Sequence, residues 1–304
     1  MRVAAIDIGS NAVRLIIADI EHGVLTEIVH SDRIITRLGS GLKNTGRISE
    51  ESVLKTLIAL QKFITAASEH KSEKITAVAT SAVRECTNKD DLLIPAKEIG
   101  IDISVINGET EAALELAGVQ AGIETGGQRT LIFDIGGGST EFIYTEPNVP
   151  VKVMSIPLGV VKMADSYNFR EPCIEEHMDR IRIPLFTILN DVKNEMDFQP
   201  ELLIGSAGTP TTLAAIDLGM TVYDWKKING YPLKKSRIEQ IFSRLCSLSS
   251  EERLSIPGME KGREDLLIPG TLITLELMSM TGMDTLTVSD FGLREGLAVA
   301  AAVS

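Results

Sequence analysis

A short pattern occurs twice in this chain and constrains its fold more than any other feature: Asp7-Ile-Gly-Ser-Asn-Ala-Val-Arg14 and Asp134-Ile-Gly-Gly-Gly-Ser-Thr-Glu141. Each copy follows a short apolar run, Val3 to Ile6 and Leu131 to Phe133. Each leads into a second β-rich run, Val13 to Ala18 and Phe142 to Thr145. The chain therefore twice writes strand, acidic residue, glycine-containing turn, strand. Glycine lets the backbone approach an anion closely, and successive backbone N–H groups form an anion-binding concavity. An Asp at the strand end can hold a divalent cation or orient a water. One such pattern alone reads as an ordinary hairpin turn. Two matched copies, 127 residues apart from Asp7 to Asp134, predict a duplicated domain whose two turns clamp a phosphate chain and its metal.

The order of the remaining signals fits a duplication. Strand patterns at 3–7, 13–20 and 24–31 read as an antiparallel meander. Ser49 caps a helix that runs to about His70, with Glu50 and Glu51 in its first turn and Val53, Leu57, Leu60 and Ile64 on one face. A strand at Ile75 to Ala79, a helix from about Asn88 to Gly100, a strand at Asp102 to Ile106 and a helix from Glu109 to Ala121 follow. Three strands and then alternating helices and strands is the order of an RNase H-like domain. The polar, glycine-containing stretch Glu124 to Gln128 is the expected hinge. After it the order repeats, with strands at 129–134, 139–145 and 151–157, a helix near 174–196, a strand at 201–205 and a helix at 209–218. Helices near 236–247, 261–282 and 293–303 and a strand at 285–289 complete the chain. The expected fold class is α/β, two RNase H-like domains with an interdomain cleft, divided into 1–123 and 124–292.

At 304 residues the chain is long enough for two domains with separate cores. Its net charge of −12 argues against nucleic acid as a partner, which calls for a basic surface. Positive charge for a polyanion must then be local or supplied by metal ions, and Arg14, Arg37, Arg84, Arg263 and Arg294 are the candidate cations. The most apolar stretch, Leu266 to Met283, is interrupted by Pro269 and Glu276 and reads as a buried helix, so no membrane partner is expected. Cys86, Cys173 and Cys246 form no CxxC pair and read as buried or free thiols of a reducing cytosol. Met1-Arg2-Val3 leads directly into a strand, so no signal peptide and a cytoplasmic location are expected. His22, His30, His70 and His177 show no metal-binding spacing and read as surface or structural residues.

Further segments accompany the two turns: Thr36-Arg-Leu-Gly39, Ala79-Thr-Ser-Ala-Val-Arg-Glu85, Asn107-Gly-Glu-Thr-Glu-Ala112, Gly205-Ser-Ala-Gly-Thr209 and Ser289-Asp-Phe-Gly-Leu-Arg-Glu-Gly296. In this order and spacing the chain resembles the exopolyphosphatase and guanosine pentaphosphate phosphatase (Ppx/GppA) family, within the superfamily of actin, Hsp70 and the sugar kinases. The likeness runs from Ala4 to Val299 and is to the short form of the family. It implies two actin-like ATPase domains, with a C-terminal helix of about 293–304 packed back on the first. It also implies a hydrolase that releases terminal phosphate from inorganic polyphosphate, the 5′-γ-phosphate of pppGpp, or both, with Mg²⁺ or Mn²⁺. A homodimer is a possible assembly.

Glu109, Glu111 and Glu115 stand at the start of a helix, where acids either complement the dipole or serve chemistry. The resemblance makes Glu111 the catalytic base, with Glu109 as the alternative. A carboxylate there can orient a water and accept its proton. Asp134 is the expected metal ligand, and Glu141 either binds the metal or positions the attacking water. Mg²⁺ typically uses one or two carboxylates plus waters and phosphate oxygens. Gly136, Gly137, Gly138, Ser139 and Thr140 are expected to present amides and hydroxyls to the terminal phosphate. Asp7, Gly9, Ser10 and Asn11 are expected to do the same from the other domain, and Arg84 to bind phosphate. Gly208 and Thr209 either receive a nucleotide or cap the helix that follows. An ATP-dependent phosphotransferase and a non-enzymatic nucleotide switch are the alternatives. The set of Glu111, Asp134 and Glu141 favours a hydrolase.

Overall fold

Strand β1 (Arg2–Ile8) is apolar at almost every position because both of its faces are covered, as expected for a central strand between helices. Ala4, Ile6 and Ile8 enter one buried cluster, while Val3 and Ala5 enter another. The same alternation continues in β2 (Ala12–Glu21), with Val13, Leu15 and Ile17 on the first face and Ile16, Ala18 and Ile20 on the second. The structure is a computed structural model that describes residues 1–197 and 199–303; Ser304, the last residue of the expected C-terminal segment, and the side chain of His177 lie outside the described residues.

The chain divides into two units. The first contains Met1–Ala121, the turn Gly136–Ser139 and the chain from Phe291 onward; the second contains Gly122–Ile135 and Thr140–Asp290. After β2 the first unit continues through β3 (Val24–Ile35), α1 (Leu42–Thr45), α2 (Glu50–Glu69), β4 (Lys74–Ala79), α3 (Ser81–Glu85), α4 (Asp90–Glu98), β5 (Ile103–Val105) and α5 (Gly108–Gly122). Its sheet has the order β3-β2-β1-β4-β5, antiparallel in the meander and parallel from β1 to β5. Ser49 caps α2 by accepting from the Ser52 N–H. The α2 residues Leu60, Phe63 and Ala67 fill the first cluster.

The second unit repeats the plan with β6 (Thr130–Ile135), β7 (Thr140–Thr145), β8 (Lys152–Ile156), α6 (Val160–Ser166), α7 (Glu175–Met196), β9 (Leu202–Ser206) and α8 (Gly208–Asp217). It continues with α9 (Trp225–Ile228), β10 (Tyr231–Lys234), α10 (Lys235–Cys246), α11 (Ser250–Arg253), α12 (Leu267–Thr281) and β11 (Thr285–Val288). Its sheet runs β10-β11-β9-β6-β7-β8, so five strands reproduce the first order and β10 is added at an edge. The last helix, α13 (Leu293–Val303), belongs to the first unit and covers the second face of its sheet with Leu293, Leu297, Ala298 and Ala301.

The fold is the expected mixed α/β class. β10 gives no sequence signal because it has only four residues and contains Pro232. It pairs antiparallel with β11 at the sheet edge, where proline is tolerated. The helix expected at 261–282 begins only at Leu267, with Pro269 in its first turn, where a missing N–H costs no helical bond. Gly282 ends it in the left-handed conformation. No helix among the described residues is long and apolar enough to cross a membrane.

Candidate active site

In the first unit, β1 and β2 close a hairpin in which the Gly9 N–H donates to the Ala12 carbonyl at 3.0 Å. Ser10 and Asn11 form its tip. The tip carbonyls are held by the segment after β3: Asn11 O accepts from Thr36 N–H at 3.1 Å and Arg37 N–H at 2.8 Å, and Ser10 O accepts from Gly39 N–H at 2.7 Å. A Cβ at Gly39 would lie 2.8 Å from the Ser10 Cβ, so the fourth residue of Thr36-Arg-Leu-Gly39 has to be glycine. Asp7 and Arg14 face each other in register, and Asp7 Oδ2 accepts from Arg14 Nε at 2.9 Å. Asp7 Oδ1, both polar side-chain atoms of Asn11 and Thr36 Oγ1 are buried without a hydrogen-bond partner among the described residues. An unpartnered buried polar atom costs about 1–3 kcal/mol, and four such atoms, from β1, the turn and the segment after β3, fit a polar ligand there. Thr36 was not among the sequence candidates. Its only signal was membership of the Thr36 to Gly39 segment.

The base candidate sits on α5. Asn107 starts this helix: its Oδ1 accepts from Thr110 N–H at 2.8 Å and its carbonyl from Glu111 N–H at 3.0 Å. Glu111 is buried and Glu109 is exposed, which separates the two alternatives. Arg84, on the short helix after β4, donates through Nη1 to Glu111 Oε2 at 3.0 Å and to the Ile106 carbonyl at 2.7 Å. Glu115, one turn later, faces elsewhere. Its Oε2 accepts from Leu293 N–H at 2.7 Å at the start of α13. A Cβ on Gly118 would lie 1.8 Å from the Gly292 carbonyl oxygen, and one on Gly296 1.8 Å from that of Leu114, so α5 and α13 touch backbone to backbone. Within this unit the turn Gly136–Ser139 is equally tight: a Cβ on Gly138 would lie 2.2 Å from Ser81 Oγ and 3.0 Å from Ser10 Oγ.

The second hairpin has the same closure, with Gly136 N–H donating to the Ser139 carbonyl at 2.9 Å. In the second unit Asp134 and Glu141 are both buried and directly opposed in register. Opposed residues place their side chains on one face, with Cβ atoms about 4.5–5.5 Å apart. Glu141 Oε1 accepts from Ser155 Oγ at 2.7 Å. Thr140 departs from expectation: its hydroxyl donates to the Leu158 carbonyl at 2.5 Å, so its one proton serves the fold instead of a phosphate. Among the described residues no group of three His, Cys, Asp or Glu side chains is placed to hold a metal by itself.

Among the candidate cations, Arg14 is paired with Asp7, Arg84 with Glu111, Arg263 with Glu260 and Arg294 with Glu295. At the Gly205 to Thr209 turn, Ala207 is held at φ 63° and ψ −159°, a region essentially reserved for glycine. The Arg263 guanidinium lies against Gly208, where a Cβ would come within 1.7 Å of its Nη1. Thr209 provides no side-chain cap to α8.

The Ppx/GppA phosphatase family profile matches residues 16–303. This chain belongs to the Ppx/GppA phosphatase family. It is accordingly a phosphatase, a hydrolase that releases phosphate, on an actin-like ATPase fold. It is 31% identical to Exopolyphosphatase 2 of Mycobacterium tuberculosis, over 99% of this chain and 98% of that protein. The crystal structure of the Aquifex aeolicus family member superposes with a TM-score of 0.83 at 34% identity, covering 100% of this chain and 98% of that one. An exopolyphosphatase from Cytophaga hutchinsonii superposes with a TM-score of 0.87 at 29% identity, covering 97% and 96%.

Proposed function

We propose that this phosphatase removes the terminal phosphate of inorganic polyphosphate by metal-assisted attack of a water that Glu111 activates. The observation that carries the reading is the single register row holding two buried carboxylates, Asp134 and Glu141, at the foot of a turn of successive amides. Two hard oxygen donors beside an anion-binding turn suit Mg²⁺ or Mn²⁺. Such an ion, when bound, supplies charge neutralisation at the terminal phosphates. The Gly136 N–H closes the hairpin, while Gly137, Gly138 and Ser139 offer backbone N–H groups, and Ser139 a hydroxyl, to phosphate oxygens. Ser10 and Asn11 do so from their own turn, with Thr36 beside them, while the Gly9 N–H closes that hairpin. Asp7 acts there as the counter-charge of Arg14.

Glu111 accepts the water's proton, and Arg84 fixes the orientation of its carboxylate through Nη1. Remaining Arg84 donors serve the phosphate. The substrate class rests on the relatives named exopolyphosphatases that align along nearly their whole length. A phosphotransferase is less well supported, because the Gly205 to Thr209 turn is filled by Arg263. The deciding experiment compares phosphate release from long-chain polyphosphate, pppGpp and ATP with Mg²⁺ and no acceptor. Release fastest from polyphosphate is the expected result. Release from ATP only in the presence of an acceptor would overturn the reading, and a preference for pppGpp would reassign the substrate.

A further inference from the structure

Far along the chain from these turns, the second unit contains a fully buried arginine. Among the described residues the side chain of Arg253, at the end of α11, donates only to backbone carbonyls: Leu245 at 2.8 Å, Leu248 at 2.6 Å, Glu171 at 3.3 Å, Glu264 at 3.0 Å, and Phe169. It ties the segment before α7 to the end of α10, and Ser250 N–H adds a bond to the Arg170 carbonyl at 2.7 Å. Cys173 and Cys246 sit at this junction. Cys173 N–H donates to the Cys246 carbonyl at 2.7 Å, and the two thiols are within hydrogen-bonding reach of each other. A backbone contact this short brings the two Cα atoms into the range of about 4.4–6.8 Å that a disulfide spans. Both side chains are partly buried against the core of the second unit, and both are free thiols.

We propose that Cys173 and Cys246 are a reactive and resolving thiol pair that peroxide closes to an intrachain disulfide. The assignment of the two roles follows from their surroundings. The Cys246 thiol donates to Cys173 and the Arg253 charge lies nearby, which together hold the Cys173 thiol down at about 7 against the effect of burial. That same hydrogen bond, and then burial, push Cys246 up. Near neutral pH the thiolate, which is the nucleophile, therefore resides on Cys173. Arg182 and Arg253 face Cys246, and Asp265 and Glu171 are the acids near Arg253.

The chemistry balances with hydrogen peroxide as oxidant. The Cys173 sulfur attacks one peroxide oxygen; an S–O bond forms, the O–O bond breaks, and the leaving hydroxide takes a proton to become water. The resulting sulfenic acid is attacked by the Cys246 sulfur, which gives up its proton. The S–S bond forms, the S–O bond breaks, and a second water leaves. Two thiols lose two electrons and one peroxide is reduced to two waters. Cys86 is the internal control, because it is buried and burial pushes its thiol up.

The test uses the full chain, reduced and then exposed to a small excess of hydrogen peroxide at neutral pH, with free thiols blocked before non-reducing digestion and mass spectrometry. The expected result is a Cys173–Cys246 linked peptide with Cys86 still free. Cys246→Ser should leave a sulfenic acid on Cys173 that dimedone traps, and Cys173→Ser should slow peroxide consumption at least tenfold. Retention of all three thiols would overturn the proposal, as would a cross-link that uses Cys86 or joins two chains. The wild-type measurement depends on no variant folding and is independent of phosphatase activity.

Discussion

The two hairpins share one backbone and carry opposite charge. In the first unit the row that crosses the hairpin reads Val78, Asp7, Arg14, Arg33 from β4 through β1 and β2 to β3. In the second it reads Ser206, Asp134, Glu141, Ser155 from β9 through β6 and β7 to β8. The strands correspond one for one, and each turn closes with the same glycine N–H bond. A single exchange, arginine for glutamate at the position opposite the aspartate, divides their roles. The first aspartate is neutralised within its row by a salt bridge at 2.9 Å, and its turn keeps unpartnered polar atoms on Asn11 and Thr36. The second row concentrates two carboxylates and serine hydroxyls. A duplicated turn thus yields one cradle suited to an anion and one suited to a cation with its anion.

This contrast is broken first by metal removal. Chelation should reduce phosphate release to background, and Mg²⁺ or Mn²⁺ should restore it. Asp134→Asn should raise the metal concentration needed for half-maximal activity by an order of magnitude or more. Asp7→Asn should leave that requirement near wild type. A metal titration of both variants decides the matter, and equal shifts would mean that the rows are not specialised.

Glu111→Gln should lower kcat by about 10²–10⁴, the usual contribution of a positioned base, with substrate binding retained. Glu109→Gln, at an exposed position, should cost far less. Single-turnover rates and binding measured separately test this, and equal losses would remove Glu111 from its role. Arg84→Lys sharpens the result, because a lysine cannot reproduce the planar guanidinium contact with Glu111. It should lower kcat more than it raises KM.

Much of this arrangement is legible in the sequence because turns and central strands obey local rules. The alternation of Ala4, Ile6 and Ile8 against Val3 and Ala5 is a period of two, and the repeated Asp-Ile-Gly marks both hairpins. Burial separates residues that spacing cannot. Glu109 and Glu111 share a helix start, and only the packed structure shows that Arg84 holds the latter. Glu115 looks like a third acid of the same cluster, yet its partner, Leu293 N–H, lies 178 residues away. Thr36 carries no chemical signature in the sequence, since its relation to Asn11 depends on β3 returning to the tip of the first hairpin.

Asn11→Ala and Thr36→Val probe the cradle of the first unit. Each removes buried polar atoms aligned with the proposed phosphate, a loss of about 1–3 kcal/mol in interaction with a charged group. That corresponds to roughly 5- to 150-fold in kcat/KM. Neither should lower stability, because these atoms have no hydrogen-bond partner among the described residues. A drop in Tm without a kinetic change would make the first turn architectural only.

The smallest kinetic effect is expected where sequence and structure disagree, at Thr140, in contrast to its neighbour Ser139. Ser139→Ala removes a hydroxyl proposed to meet phosphate and should lower kcat/KM by roughly 5- to 150-fold, for the same loss of a bond to a charged group. Thr140→Val keeps the shape of the side chain but deletes the donor to the carbonyl of the partly buried Leu158. That leaves the carbonyl without this partner, at about 1–3 kcal/mol. In a unit of this size the Tm should fall by about 2–4 °C for each kcal/mol. Its kcat/KM should stay within about twofold of the parent. Thermal unfolding and steady-state kinetics on the two variants therefore move in opposite patterns. If Thr140→Val instead loses activity as Ser139→Ala does, with no loss of Tm, the Thr140 hydroxyl turns to the phosphate when substrate is bound. The Leu158 contact would then describe only the ligand-free hairpin.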